Sequence, residues 1–312
     1  MRERGVKRVT FWRRAALWGV AVRAYAYPAS IVPVILGSVY AWYVRGVFLP
    51  GHFLLALCAG MLYHTGCNLL NDYYDYRYGV DRDEAFGGSG LLVRGLMTPR
   101  QIALGAWACL TAGSLVGFYF VCRYGTPVLA IGAAGFLGAV FYTATPYGLK
   151  YHALGEPLVF LTMGVGMVLG GCVTQGAAFS ARACEVSLPV AFLVAAILQA
   201  NDTRDIAGDR ASGVRTLSVL LGARGARAFY YLLILAAYAS LAGLVAWGIV
   251  PRAALLALLS LPFAHRLYAR FRAFPGENDE RLAPAVQGTA VLHLVFGLLM
   301  TAVIALGGAL RR

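Results

Sequence analysis

The sequence predicts an all-α polytopic membrane protein, a bundle of about nine transmembrane helices, and three observations carry that expectation. Of the 312 residues, 60% are hydrophobic and only 13% charged, where a soluble domain carries about 25% charged residues. Apolar runs near twenty residues recur along the whole chain, the length a helix needs to cross a bilayer. Lys and Arg divide unevenly between alternate connections, as the positive-inside rule requires. Strands are disfavoured because a spanning strand needs only about ten residues and alternates in polarity.

The chain opens on MRERGVKRVTFWRR. A signal peptide would follow such a stretch with a short apolar core and a small-residue cleavage site. A long apolar segment follows instead, so residues 1–18 are expected to be a retained, basic cytosolic tail. Nine spans are expected at 19–43, 51–73, 101–122, 126–144, 154–175, 186–203, 227–249, 251–268 and 285–308, all within one domain, 1–312. Pro and Gly punctuate them, as at Leu49-Pro50-Gly51, Gly125-Thr126-Pro127 and Val250-Pro251.

With the N-terminus in the cytosol and alternating spans, the cytosolic side holds about twenty Lys and Arg residues and the other side six. Net charge is +13. Its distribution follows topology, and no separate basic patch with interleaved aromatics points to nucleic acid. The six cysteines stand singly without a Cys-x-x-Cys pair. They are expected to be small buried hydrophobes.

Acidic residues carry the sharper signal, because the positive-inside rule says little about them. Eight of the fourteen Asp and Glu fall in two stretches, NDYYDYRYGVDRDE (71–84) and NDTRDIAGDR (201–210). Both follow an apolar run, and both sit at cytosolic ends of their spans. On a helix, Asn71 and Asp75 share a face, as do Asn201, Asp205 and Asp209. Stacked like charges repel, and a membrane boundary adds a desolvation cost. A divalent cation compensates both. Hard oxygen donors suit Mg²⁺, which keeps several waters and takes the rest of its shell from carboxylates and phosphate oxygens. The constellation therefore predicts a phosphate or diphosphate bridged by Mg²⁺ between two motifs.

Cations complete such a site. Lys150 follows the fourth span on the same face, and Arg23 lies inside the first predicted span. Arg204, Arg210 and Arg215 flank the second motif, and Arg94 follows the flexible GGSGLLV. Asp83 and Glu84, past Gly79, read as solvated loop residues, and Gly166-x-x-x-Gly170 reads as close helix packing. His52, His64, His152 and His265 show no ligand spacing.

These residues resemble the UbiA superfamily of intramembrane aromatic prenyltransferases. The resemblance rests on Asn71-x3-Asp75-x5-Asp81, on Asp205-x3-Asp209, and on YTATPYGLKYHALGEPLVF (142–160) and GTAVLHLVFGLL (288–299). The gap before Asp81, the Gly79-Val80-Asp81 ending and GEPLVF are most similar to the menaquinone-pathway branch, which prenylates 1,4-dihydroxy-2-naphthoate. The second motif departs at Gly213-Val214-Arg215-Thr216, where the family usually carries Gly-Lys-Arg-Thr, and the usual first-span Arg-Pro is Arg23-Ala24 here.

The resemblance implies a nine-helix bundle around a central cavity, in a bacterial cytoplasmic membrane, with its active site facing the cytosol. It implies that Asn71, Asp75, Asp81, Asp205 and Asp209 hold Mg²⁺ and a prenyl diphosphate, with Asp72 and Asn201 beside them. Arg23, Lys150 and Arg215 map onto cationic positions that steady the diphosphate. The acceptor is expected to be an aromatic quinone precursor, with Tyr73, Tyr142 and Tyr151 as candidates to face a carbocation or the acceptor ring. Competing readings are the same transfer to hydroxybenzoate, homogentisate, a tetrapyrrole or a glycerol-phosphate lipid, or a transporter of a cation or phosphate. A transporter would carry charge near the bilayer midplane on broken helices. A CDP-alcohol phosphotransferase would need an Asp-Gly-x-x-Ala-Arg stretch, which the sequence lacks.

Overall fold

The computed structural model describes residues 11–81, 88–274, 276 and 280–310. Its described residues are helical throughout, apart from connections and one isolated backbone bridge between His152 and Arg215. The helices are α1 Phe11–Ala21, α2 Pro28–Arg45, α3 Pro50–Arg77, α4 Pro99–Tyr124, α5 Thr126–Phe141, α6 Gly155–Thr174, α7 Ala181–Ala211, α8 Leu217–Ala246, α9 Leu261–Ala273 and α10 Ala283–Leu310.

Local sequence explains the starts. Proline opens α2, α3 and α4 where a missing N–H costs nothing. Thr98 and Gln101 cap α4 reciprocally, and Ser180 and Thr216 cap α7 and α8 through their side-chain oxygens. The first predicted span is broken rather than continuous. Arg23 adopts a left-handed conformation (φ 52°), a short 3₁₀ turn covers Ala24–Ala26, and the two parts meet at 56°. Pro28 cannot donate into a continuing helix, and it restricts the residue before it. The predicted eighth span begins as a 3₁₀ helix, Arg252–Ser260, before α9.

Among the described residues each predicted segment is helical over most of its length. Six helices among the described residues are long and apolar enough to cross a membrane, seven if the bent pair counts as one. The outward faces carry exposed leucines such as Leu115, Leu235 and Leu306, as a lipid-facing surface requires. This is an integral multi-pass membrane protein.

In lipid the hydrophobic effect does not drive helices together, so packing does. The closest approach joins α2 to α6. A Cβ on Gly37 would lie 2.0 Å from the Val168 carbonyl oxygen, and one on Gly171 would lie 2.7 Å from that of Val34. The thiol of Cys172 donates to the Gly37 carbonyl at 3.1 Å. These glycines, rather than Gly166 and Gly170, carry the tight contact; Gly166 and Gly170 line the central cavity instead. Helix α7 is the most enclosed span, with 67% of its apolar window buried. One core cluster joins α2, α6, α7, α8 and α10, and a second joins α1, α3 and α4. Within α6, Phe160–Gly166 forms a π-helical turn, with Gly164 against Ala191 of α7. The cysteines are not uniformly buried: Cys172 is, whereas Cys58 and Cys122 are exposed.

Candidate active site

Helix α3 runs past its predicted end to Arg77, so Asn71, Asp72 and Asp75 are all helical and all buried. Three donors converge on Asp75. Asn71 Nδ2 donates to Oδ2 at 2.5 Å, Lys150 Nζ to the same oxygen at 2.8 Å, and Tyr151 Oη to Oδ1 at 2.5 Å. Lys150 and Tyr151 lie on a 3₁₀ turn, Leu149–Tyr151, between α5 and α6; the Lys150 N–H donates to the Tyr142 carbonyl at 2.9 Å and holds the turn in place. Asp72 forms an ion pair with Arg23, delivered by the break before α2. Its Oδ1 also accepts from the Ser89 N–H at 3.4 Å, while Oδ2 is buried without a partner.

Asp81 lies just beyond α3, packed so closely under Gly88 that a Cβ there would sit 2.6 Å from its Oδ2. Burial, and then the charges of Asp75 and Asp72, push its carboxyl up to about 7, against the partial opposition of Lys150 and Arg23.

The second motif lies on α7, which also outruns its predicted end and reaches Ala211. Arg204 grips Asp205 in a fork, Nε to Oδ1 at 2.6 Å and Nη2 to Oδ2 at 2.7 Å, and donates to Asn201 Oδ1 at 2.8 Å. Asp209 accepts from the Thr216 hydroxyl at 3.4 Å.

The two motifs meet. Ser212 Oγ, just past α7, donates to the Val80 carbonyl just past α3 at 3.4 Å. Burial alone would lower the Lys150 pKa; the charges of Asp75, Asp209 and Asp202 outweigh it and hold the ammonium charged. One cation therefore feels carboxylates from both motifs.

Other predicted residues fall less centrally. Tyr142 lines the cavity, and Tyr151 is bound to Asp75. Tyr73 does not line the cavity; its hydroxyl accepts from Arg77 at 3.0 Å. Arg94 and Arg215 are exposed at the rim, with the Arg215 backbone bridged to His152. Asp83 and Glu84 lie outside the described residues.

Below this polar rim lies a cavity of about 300 Å³, lined mostly by apolar side chains and glycines, with Arg23, Asn71, Lys150 and Asn201 at its head. Among the described residues no three His, Cys, Asp or Glu side chains gather closely enough to hold a metal ion alone. The donor set nonetheless fits a hard cation that completes its shell with water and phosphate. It is all oxygen, it is drawn from two motifs, and it includes the orphaned Asp72 Oδ2.

Four polar residues outside the predicted site set lie beside it. Glu156 and Asp202 are buried carboxyls beside Tyr142, and both Glu156 oxygens lack partners. His64 and Asn68 line the cavity beneath Asn71. The spacing 64, 68, 71, 75 is one helical stripe, a signal that a search for metal-ligand spacing passes over.

The UbiA prenyltransferase family model matches residues 30–286. A 1,4-dihydroxy-2-naphthoate octaprenyltransferase of Bacillus subtilis is 31% identical over 286 residues, covering 91% of this chain and 90% of its own length. The UbiA prenyltransferase domain-containing protein 1 of Danio rerio is 31% identical over 287 residues, covering 91% and 82%. In fold, the chain is similar to a UbiA homologue of Archaeoglobus fulgidus solved with GPP and Mg²⁺ (TM-score 0.64, 19% identity, 92% of this chain and 100% of that one). It is likewise similar to an apo UbiA homologue of Aeropyrum pernix K1 (TM-score 0.67, 17% identity, 88% and 97%). Sequence match along nine-tenths of its length, on top of this architecture, makes the chain a member of the UbiA prenyltransferase family, and an enzyme of prenyl transfer.

Proposed function

We propose that the protein transfers a polyprenyl group from an allylic prenyl diphosphate to 1,4-dihydroxy-2-naphthoate, with loss of CO₂ and dependence on Mg²⁺. The single observation that carries the reading is Lys150, half-buried at the head of an apolar cavity, bonded to Asp75 of one motif and held charged also by Asp209 of the other. The acceptor rests on similarity to the Bacillus subtilis naphthoate octaprenyltransferase and on the Gly79-Val80-Asp81 and GEPLVF stretches. The topology that accompanies it has nine crossings, a cytosolic N-terminus and the site on the cytosolic face of a bacterial plasma membrane.

Asn71, Asp72, Asp75, Asp81, Asp205 and Asp209 would hold the cation together with the diphosphate. When bound, Mg²⁺ neutralises the negative charge that builds on the leaving diphosphate. Lys150 and Arg23 supply fixed positive charge to the same oxygens, in a site that needs no reorganisation as charge develops. Asn71 and Asn201 orient the head group from the two helices. Arg94 and Arg215 steady it from the rim. The apolar walls keep water from the allylic cation, and Tyr142 offers a ring face in the cavity wall, with Tyr151 bound to Asp75 above it. The acceptor ring attacks, its carboxyl leaves as CO₂, and aromaticity returns.

At about 300 Å³ the cavity sits at the small end of ligand pockets. It suits the reacting end of the donor and an aromatic ring, with the rest of a long prenyl chain lying in lipid. Purified protein in detergent or nanodiscs, given Mg²⁺, a prenyl diphosphate and 1,4-dihydroxy-2-naphthoate, should release pyrophosphate and CO₂ and form a prenylated product. Turnover only with hydroxybenzoate or another acceptor would replace the acceptor and keep the transfer. No turnover with any aromatic acceptor would end the proposal.

A further inference from the structure

Below its charged head the cavity wall is mostly apolar, and on α3 its polar groups fall on one line. On α3, His64, Asn68, Asn71 and Asp75 fall on one stripe, and the first three line the cavity. Asn71 and Asp75 are spoken for by the diphosphate site. His64 and Asn68 are not. His64 is 8% exposed, its Nδ1 is hydrogen-bonded to Ser30 Oγ of α2 at 2.7 Å, and the edge of Tyr27 stands against it at 5.9 Å. Tyr27 is itself fixed by Thr65 at 2.9 Å. With Nδ1 tied, the ring is held from two sides and Nε2 is the nitrogen left for the cavity. Asn68 Nδ2 is buried with no hydrogen-bond partner. Leaving such an amide unsatisfied costs about 1–3 kcal/mol.

Position along the helix says what these groups can meet. With a rise of about 1.5 Å per residue, Asn68 lies about 4.5 Å and His64 about 10.5 Å below Asn71 along the α3 axis. The carbon that leaves the diphosphate is bonded to an oxygen of the head group, so it sits at the level of Asn71. An attacking ring atom must approach that carbon to about 3–3.5 Å. The acceptor ring therefore occupies the layer immediately below Asn71, the layer walled by Asn68 and His64. A fused two-ring acceptor reaches from one to the other.

Resting on the prenyl-transfer reading above, we infer that Asn68 and His64, the latter oriented by Ser30, form the acceptor subsite and hydrogen-bond the ring hydroxyls of a dihydroxylated fused aromatic. The prenyl chain takes the apolar remainder of the cavity. The pair positions the nucleophile and selects hydroxylated rings, because a site built to bond a hydroxyl strongly rejects a ring that lacks it.

The test is two-substrate kinetics on His64→Phe, His64→Gln, Asn68→Leu and Ser30→Ala, each with 1,4-dihydroxy-2-naphthoate and with its two monohydroxy analogues. Loss of one productive hydrogen bond should raise the acceptor KM by about tenfold in His64→Phe and Asn68→Leu. The prenyl diphosphate KM should stay within about twofold, and His64→Gln should recover part of the loss. Ser30→Ala, which keeps the ring and frees its orientation, should give a smaller shift of the same kind. The wild-type enzyme should discriminate against at least one monohydroxy analogue, and a variant at the matching residue should lose that discrimination. If His64→Phe fails to fold, Ser30→Ala and Asn68→Leu carry the same readout. A rise in the prenyl diphosphate KM instead, or unchanged acceptor KM and unchanged discrimination, would overturn the subsite while leaving prenyl transfer standing. Absence of prenyl transfer by the wild-type protein would overturn both.

Discussion

The two aspartate motifs open with the same pattern, Asn-Asp-x-x-Asp, yet the fold treats them differently. On α3 the partners come from far away in sequence. Arg23 reaches Asp72 across 49 residues, and Lys150 and Tyr151 reach Asp75 across 75 and 76. On α7 the partner is next door: Arg204 closes on Asp205, its own neighbour, and on Asn201. The first motif is thus ordered only when the bundle assembles, whereas the second carries its counter-charge with it. Two similar strings of letters need not be two copies of one device. The α3 motif joins helices together, and the α7 motif presents a pre-paired carboxylate and a freer one, Asp209, to the same rim.

Chelation should produce the largest effect and should not distinguish the motifs: EDTA should abolish turnover, and added Mg²⁺ should restore it. Asp75→Asn and Asp205→Asn should each lower kcat by about 10³-fold or more if both motifs grip one head group. A mild effect from either alone would make the site one-sided. Lys150→Met, which removes the charge felt by both motifs, should lower kcat by about 10²–10³-fold.

Stability separates the motifs next. Arg23→Ala strands Asp72 in a site where it is 1% exposed, and should destabilise the protein by about 3–5 kcal/mol, read as a fall in Tm in detergent. Arg204→Ala should cost less, because Asp205 is more open, at 9% exposed. Equal losses would erase the distinction between a motif that ties helices and one that does not. The smallest effect is expected at the rim, where exposed Arg94→Ala should change turnover by about twofold.

Much of this was legible in the sequence. Hydropathy located the long apolar helices and the carboxylate spacing located both motifs, whereas the helix at Phe11–Ala21 falls largely in the stretch expected as a tail. Helix ends were not legible, because α3 and α7 continue through Asp75, Arg77, Asp205 and Asp209, where an apolar window stops. What lets them continue is the pairing with Arg23, Lys150 and Arg204, and for the first two of these only the folded chain reveals the partner. The break at Pro28 went unread in the first span, and the left-handed turn that carries Arg23 to Asp72 depends on α3 being alongside. Tyr73 was a candidate to face a carbocation, yet two positions along a helix turn it about 200° from Asp75, and its hydroxyl goes to Arg77. His64 and Asn68 carry no signal until the helix stripe is drawn down from Asn71.

The modest size of the chamber under the aspartates has a consequence for the product. Room for a head group, the first reach of chain and an aromatic ring is room to recognise chemistry but not to measure length. On the proposed reading, the far end of a long donor lies outside this chamber, and product length should follow the donor supplied, read by giving the enzyme donors of several lengths.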